Sequence, residues 1–259
     1  MVKSTVGKKR SREGHRKITI YGKQPVNEAL ESEWPVYEII VRKGQDGSQL
    51  ESILAKARSS GISITYMDDR DFDAVYGKSA QGVAAVIGEV VFKDLDEVLG
   101  QVPSGEDPLF VALDGIEDPQ NLGSICRTSH AMGVHAVVIP RRRTAPIAEG
   151  AFKASAGAVF YQPVCEVPNI HHFIQWCKKN GIWVYGLDAD GPVSLWDMDL
   201  KGPIGLIIGS EGKGLSRLAR ERCDGLIKIP MFGKINSLNA SVACGMSLYE
   251  VQRQRNVRC

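Results

Sequence analysis

Short apolar runs alternate with amphipathic helical stretches along most of this chain, and that alternation confines it to an α/β architecture. The pattern is clearest from residue 110 onward. Phe110–Leu113, Val134–Ile139, Trp183–Leu187, Gly205–Ile208 and Leu226–Ile229 read as strands. Helices are predicted from Asn121 to Met132, Asn169 to Asn180 and Leu215 to Arg222, with a long closing helix from Ser237 to Arg253. Asn121, Asn169 and Ser237 read as N-caps, and Gly133, Pro140 and Gly181 as stops. This order predicts a mostly parallel sheet with helices on both faces.

A smaller alternation precedes it. Helices are predicted at Gln24–Ser32, Gln49–Ser60 and Asp71–Tyr76, and strands at Val36–Arg42, Ile62–Met67 and Val83–Ile87. The chain therefore divides into a basic flexible arm (1–17), a small α/β domain (18–91), an acidic Gly/Pro linker (92–107) and a second α/β domain (108–259). The net charge of +2 is too small to imply nucleic acid by itself. Its distribution says more. Seven basic residues crowd 3–17 against Glu13 alone, Arg141, Arg142 and Arg143 are adjacent, and Arg253, Arg255 and Arg258 close the chain. Adjacent like charges repel, and a polyanion relieves them, so Arg141–Arg143 is a candidate RNA contact. The 6 cysteines form no CxxC pair and no histidine falls at zinc spacing, which predicts buried thiols in a reducing, cytoplasmic compartment and no metal. No apolar run reaches membrane-spanning length, and no signal peptide is expected.

Three segments carry chemistry. Asp118-Pro119-Gln120-Asn121-Leu122-Gly123, followed by Arg127, begins just past a strand, where open α/β sheets bind ligands. Six residues separate Asn121 from Arg127, and the two are expected on roughly the same side of their helix. Gly209-Ser210-Glu211-Gly212-Lys213-Gly214 follows a very apolar strand. Its GxxGxG spacing is neither a P-loop nor a dinucleotide fingerprint, and Glu211 is its one acid. Ile229-Pro230-Met231-Phe232-Gly233 leads to Ser237-Leu238-Asn239, where Asn239 stands beyond the expected cap and so has a second task.

Taken together, DPQNLGSICR, GLIIGSEGKGLS and IPMFGKINSLNASVA resemble the three motifs of the SpoU, or TrmH, family of RNA ribose 2′-O-methyltransferases, over residues 110–255. Ile20-Tyr21-Gly22, Val26 and the Glu28–Leu30 helix resemble the substrate-binding domain of the RlmB branch, which methylates a guanosine ribose in large-subunit ribosomal RNA. The resemblance implies a C-terminal SPOUT domain with a deep trefoil knot, preceded by a small RNA-binding α/β domain. It implies S-adenosylmethionine held by backbone at Gly209, Ile229 and Leu238, with Asn121, Arg127, Glu211, Ser237 and Asn239 as functional polar residues. It also implies a homodimer with shared sites, in which Arg127 serves the partner's cofactor. One departure stands out: Phe160-Tyr161 follow Ala154-Ser155-Ala156-Gly157-Ala158, where several relatives carry an acid near Phe160.

Family accounts make the arginine corresponding to Arg127 the base. A guanidinium with a pKa above about 12 gives up its proton at great cost. A phosphate-anchoring Arg127, with Glu211 as proton acceptor or orienting partner, fits the chemistry better. The alternatives are an antibiotic-resistance rRNA or a tRNA methyltransferase of the same family, and a non-catalytic RNA-binding ribosome-assembly factor. A Rossmann-type methyltransferase is disfavoured, because its glycine loop belongs near the start of the domain.

Overall fold

The computed structural model describes residues 17–235 and 237–256. The basic arm before Lys17, and Arg258 and Cys259, lie outside the described residues.

The first unit runs β1 (Ile18–Tyr21), α1 (Lys23–Glu31), β2 (Val36–Arg42), α2 (Ser48–Ser59), β3 (Ser63–Met67), α3 (Asp69–Tyr76) and β4 (Val83–Ile87). Its sheet has the order β1-β4-β2-β3, with β4 antiparallel to both neighbours and β2 parallel to β3. Strand β1 carries only four residues, too few to show a period in the sequence.

The second unit contains α4 (Leu95–Gly100), β5 (Leu109–Asp114), α5 (Pro119–Ala131), β6 (Ala136–Pro140), α6 (Glu149–Ala154), β7 (Val164–Val167), α7 (Ile170–Lys179), β8 (Trp183–Leu187), β9 (Val193–Ser194), β10 (Ile204–Gly209), α8 (Arg217–Arg222), β11 (Gly225–Lys228) and α9 (Ala240–Asn256). Seven strands form one parallel sheet in the order β7-β6-β5-β10-β8-β11-β9. The alternation of side chains along a strand assigns the two faces. Leu109, Val111 and Leu113 of β5 join Leu206 and Ile208 of β10 under α5 and α9. Phe110, Ala112 and Ile207 point the other way, toward Phe173 of α7 and Ala219 of α8. Both faces are covered, which is why these strands read as unbroken apolar runs.

The 92–107 segment, expected as a linker, is partly built into the second unit. Asp94 caps α4 by accepting from the Asp96 and Glu97 amides. Leu95 and Val98 are buried in the Phe110–Phe173 cluster, and the Trp176 indole donates to Asp96 at 2.6 Å. The C-terminal basic patch is likewise structural where it is described. Arg255 donates to the carbonyls of Asp107 (2.9 Å) and Gly202 (2.7 Å), and burial lowers its pKa. Arg253 clasps Glu250 through two bonds of 2.8 and 2.7 Å.

Two helix starts differ from expectation. Asp118, not Asn121, caps α5; its carboxylate accepts from the Gln120 amide at 3.0 Å, with Pro119 in the first turn. Asn239, not Ser237, caps α9; its Oδ1 accepts from the amides of Ser241 (2.9 Å) and Val242 (3.3 Å). Asn169 caps α7 as the sequence suggests, accepting from the His172 amide.

Candidate active site

Strand order reverses at β5. The chain goes on to β6 and β7 on one side, while β10 and β8 fill the other. Loops leaving the C-terminal ends of β5 and β10 therefore face a crevice, the place where open parallel sheets take ligands. The β10 loop folds back on itself. Ser210 N–H donates to the Gly214 carbonyl at 3.1 Å, and Gly214 N–H returns a bond to Ser210 at 2.8 Å. Gly209 makes this possible, since a Cβ there would lie 2.5 Å from the Leu215 amide nitrogen and 2.6 Å from the Gly214 carbonyl oxygen. Asp114, at the end of β5, accepts from the Ser216 amide at 2.7 Å and ties the loop to the neighbouring strand.

Beside this loop lies a cavity of about 350 Å³. Leu187, Ile208 and Ile227 supply apolar wall, and Gly209, Ile229 and Leu238 line it from three separate segments. Ser237 also lines it and is exposed. Asp188 and Arg220 are wall residues that the sequence reading missed. The Asp188 side chain is 2 % exposed, and its Oδ1 accepts from Arg220 at 2.7 Å and from the Asp190 amide at 3.0 Å. Its Oδ2 lies 2.5 Å from Arg220 Nη2 yet lacks a donor in hydrogen-bond geometry. The signal for Asp188 was available: an acid placed directly after an apolar strand of a parallel sheet.

The three motif segments meet at Glu211. Asn239 Nδ2 donates to Glu211 Oε1 and, at 2.9 Å, to Asn121 Oδ1. Asn121 Nδ2 reaches Glu211 Oε1 at 3.4 Å, as does the Ala240 amide at 3.4 Å. Glu211 thus sits at the N-terminus of α9, where the helix dipole favours a carboxylate. Asn239 does hold a second task, but it combines that task with capping. Asn121 is freed for this network because Asp118 does the capping of α5.

Arg127 stands apart. Six positions at 3.6 residues per turn leave it about 120° around the helix from Asn121. Accordingly Asn121 is buried and Arg127 exposed, which corrects the expectation of a shared side. Arg127 does not line the cavity, and among the described residues no carboxylate lies within ion-pair distance of it. Arg141, Arg142 and Arg143 are exposed on the loop after β6, with Arg141 paired to Glu166 at 2.8 Å. That loop shares the sheet edge with the glycine loop, two strands or about 10 Å away in the pairing direction.

This geometry agrees with comparisons to known proteins. Residues 108–249 match the SpoU rRNA Methylase family, and residues 19–90 match the family described as RNA 2′-O ribose methyltransferase substrate binding. The chain belongs to the SpoU family of RNA 2′-O-ribose methyltransferases. A Bacillus subtilis protein assigned to the TrmH family of tRNA/rRNA methyltransferases is 41 % identical, covering 92 % of this chain and 96 % of the relative. Among solved structures, the SpoU methyltransferase AviRb from Streptomyces viridochromogenes superposes with a TM-score of 0.79 at 30 % identity, over 95 % of this chain and 91 % of that one. The same enzyme has been solved in complex with AdoMet. An AdoMet-bound rRNA methyltransferase from Sinorhizobium meliloti gives 0.77 at 27 % identity, over 92 % of this chain and 87 % of that one. The SpoU match takes in all three motif segments and every residue that lines the cavity.

Proposed function

We propose that this SpoU-family chain uses S-adenosylmethionine to methylate the 2′-hydroxyl of a guanosine ribose in large-subunit ribosomal RNA. The observation that carries this reading is the meeting of Asn121 and Asn239, 118 residues apart, on Glu211, which lines the cavity. The cavity suits the cofactor. Its size falls within the range of small-molecule sites. Three backbone segments border it, apolar side chains line one wall, and the Asp188 carboxylate, ion-paired to Arg220, is an acceptor suited to a hydroxyl or amine of a nucleoside. Gly209, Ile229 and Leu238 hold the adenosine end in this reading. When bound, the cofactor supplies an electrophilic methyl group on a sulfonium.

The protein's own part is positioning and proton handling. Asn121 and Asn239 orient Glu211, which accepts the ribose proton directly or through one water. Glu211 is not paired to Arg127 within the chain, so the two roles separate: Arg127 anchors a phosphate and Glu211 takes the proton. Ser237 offers a hydroxyl beside the same wall. The site is shared in a homodimer. Val242, Met246 and Tyr249 form an exposed apolar stripe on α9, and a second copy covers it. The same stripe lies on the helix that packs against α5, so Arg127 reaches the partner's cavity. The C-terminal end of this domain is threaded through a loop as the deep trefoil knot that the family resemblance implies, and Arg141–Arg143 touch RNA backbone. The free, mostly buried cysteines suit the cytoplasm.

Ribosomal RNA is favoured over transfer RNA by domain content. The S. meliloti rRNA methyltransferase aligns with 92 % of this chain, whereas two structures of tRNA-modifying enzymes align with 57 % and 59 %. The test is transfer of a labelled methyl group to separate large-subunit rRNA, small-subunit rRNA and tRNA transcripts, with the modified ribose mapped by reverse-transcription stops. Transfer to tRNA alone would move the substrate assignment. No transfer to any RNA, with the cofactor bound, would remove the catalytic reading.

A further inference from the structure

The two units meet along a packed seam that reaches the helix of the active site. Trp34 sits edge-on to Phe152 and Phe160, with ring centroids 6.0 and 5.3 Å away. Its indole N–H donates to the Gly88 carbonyl at 3.1 Å, so the ring is anchored on its own domain. Glu28 of α1 passes directly over Gly157, whose φ is +92°; a Cβ there would stand 2.5 Å from Glu28 Cβ. Tyr161 then donates its hydroxyl to Glu28 Oε2 at 2.9 Å. Burial, with Glu28 beside it, pushes the phenol up to about 12, so it remains a donor across the working range. On its other side the Tyr161 ring stacks on His130 at 5.8 Å and 28°, in the last turn of α5, the helix that carries Asn121. A single apolar cluster runs from Ile20 and Val26 of the small unit to Phe152 and Val159 of the large one. Phe160-Tyr161, the departure from the family pattern, thus lie in the large unit's side of the joint, beside Phe152 and Gly157.

We propose that Tyr161 is a positioning residue which, with Glu28 and Trp34, fixes the substrate-binding domain against α5, so that RNA held by that domain meets Arg127 and the cavity in one orientation. The RNA part of this proposal rests on the methyltransferase reading; the joint itself does not. Trp34 and Tyr161 are both partly exposed, so truncating them leaves little internal void.

The experiment uses the full chain with spin labels on non-natural residues at the exposed positions Glu51 and Lys179, one in each unit, with labelled chains mixed into excess unlabelled protein so that only distances within one chain are read. Wild-type protein should give one narrow distance distribution, and Trp34→Ala/Tyr161→Ala a broad one, with S-adenosylmethionine affinity unchanged. The KM for RNA should rise about tenfold while kcat at saturating RNA stays within about threefold. Tyr161→Phe keeps the stack on His130 but loses the bond to Glu28, and should give a broadening and a KM between those of wild type and the double variant. A broad distribution in the wild type, a narrow one in the double variant, or a broadened variant with unchanged KM would each overturn the proposal. If the wild type methylated no RNA, the distance measurements would still decide the joint separately.

Discussion

Replacing Gly209 with alanine places one methyl group where the chain has no room. The new Cβ would stand 2.5 Å from the Leu215 amide nitrogen and 2.6 Å from the Gly214 carbonyl oxygen. Ordinary contact begins near 3.4 Å, so the loop must retreat by close to an ångström. Strand β10 cannot yield instead, because Leu206, Ile207 and Ile208 are buried on both faces of the sheet. Overpacking costs about 1–3 kcal/mol. Retreat also loosens the two Ser210–Gly214 hydrogen bonds, each worth about 0.5–1.5 kcal/mol. The closed loop therefore loses about 2–6 kcal/mol, most of it as local opening. Ligand binding must repay that opening, and at 1.4 kcal/mol per tenfold a penalty of about 2–4 kcal/mol weakens cofactor affinity by about 30- to 1000-fold. Titration calorimetry with S-adenosylmethionine measures this directly, with thermal unfolding run alongside. The methyl group collides with the loop's own backbone, at Gly214 and Leu215, before it meets a ligand. Wild-type affinity in Gly209→Ala would refute the argument. So would a large drop in thermal stability with affinity untouched, since the loop would then be irrelevant to the cavity.

Three further outcomes are expected. Asn239→Ala removes both a helix cap, worth about 0.5–2 kcal/mol, and the donor that orients Glu211, whereas Asn239→Asp keeps the cap and sets a second carboxylate against Glu211; turnover should collapse in both, and both should lose thermal stability at pH 7, but only the aspartate variant should recover it as acid protonates the pair. Arg127→Lys should retain part of the activity and show its defect mainly as weaker RNA use, while mixing Arg127→Ala chains with Gly209→Val chains should recover activity in heterodimers; wild-type turnover in the first, or no recovery in confirmed mixed dimers, counts against a phosphate anchor serving the partner's site. Glu250, bonded to Arg253, has its pKa lowered chiefly by that contact, so its stabilisation is present above the ordinary carboxylate range and fades as pH falls through the lowered value; Glu250→Gln should unfold at lower denaturant than wild type at pH 7, and the gap should close in acid.

Much of this protein was legible in its residues. Apolar runs of strand length between amphipathic helices specify the doubly covered parallel sheet, because burial on both faces leaves no other composition for those strands. The motif segments around Asn121, Glu211 and Asn239 were visible because glycine-rich turns after apolar strands are local features. Short elements were not: β1, β7, α4 and α6 span four to six residues each, too few to display a period. Helix caps were misplaced by two or three positions for a related reason. Asp118 and Asn121 are both capable caps, and only the surrounding fold decided which amide each would meet. Helix period by itself separates Asn121 from Arg127 by about 120°; tertiary structure alone paired the buried Asp188 with Arg220 on the cavity wall and locked Tyr161 to Glu28 across 133 residues. Patterns of period two or 3.6 report which face a residue occupies. Which distant partner waits on that face is settled only when the chain closes on itself.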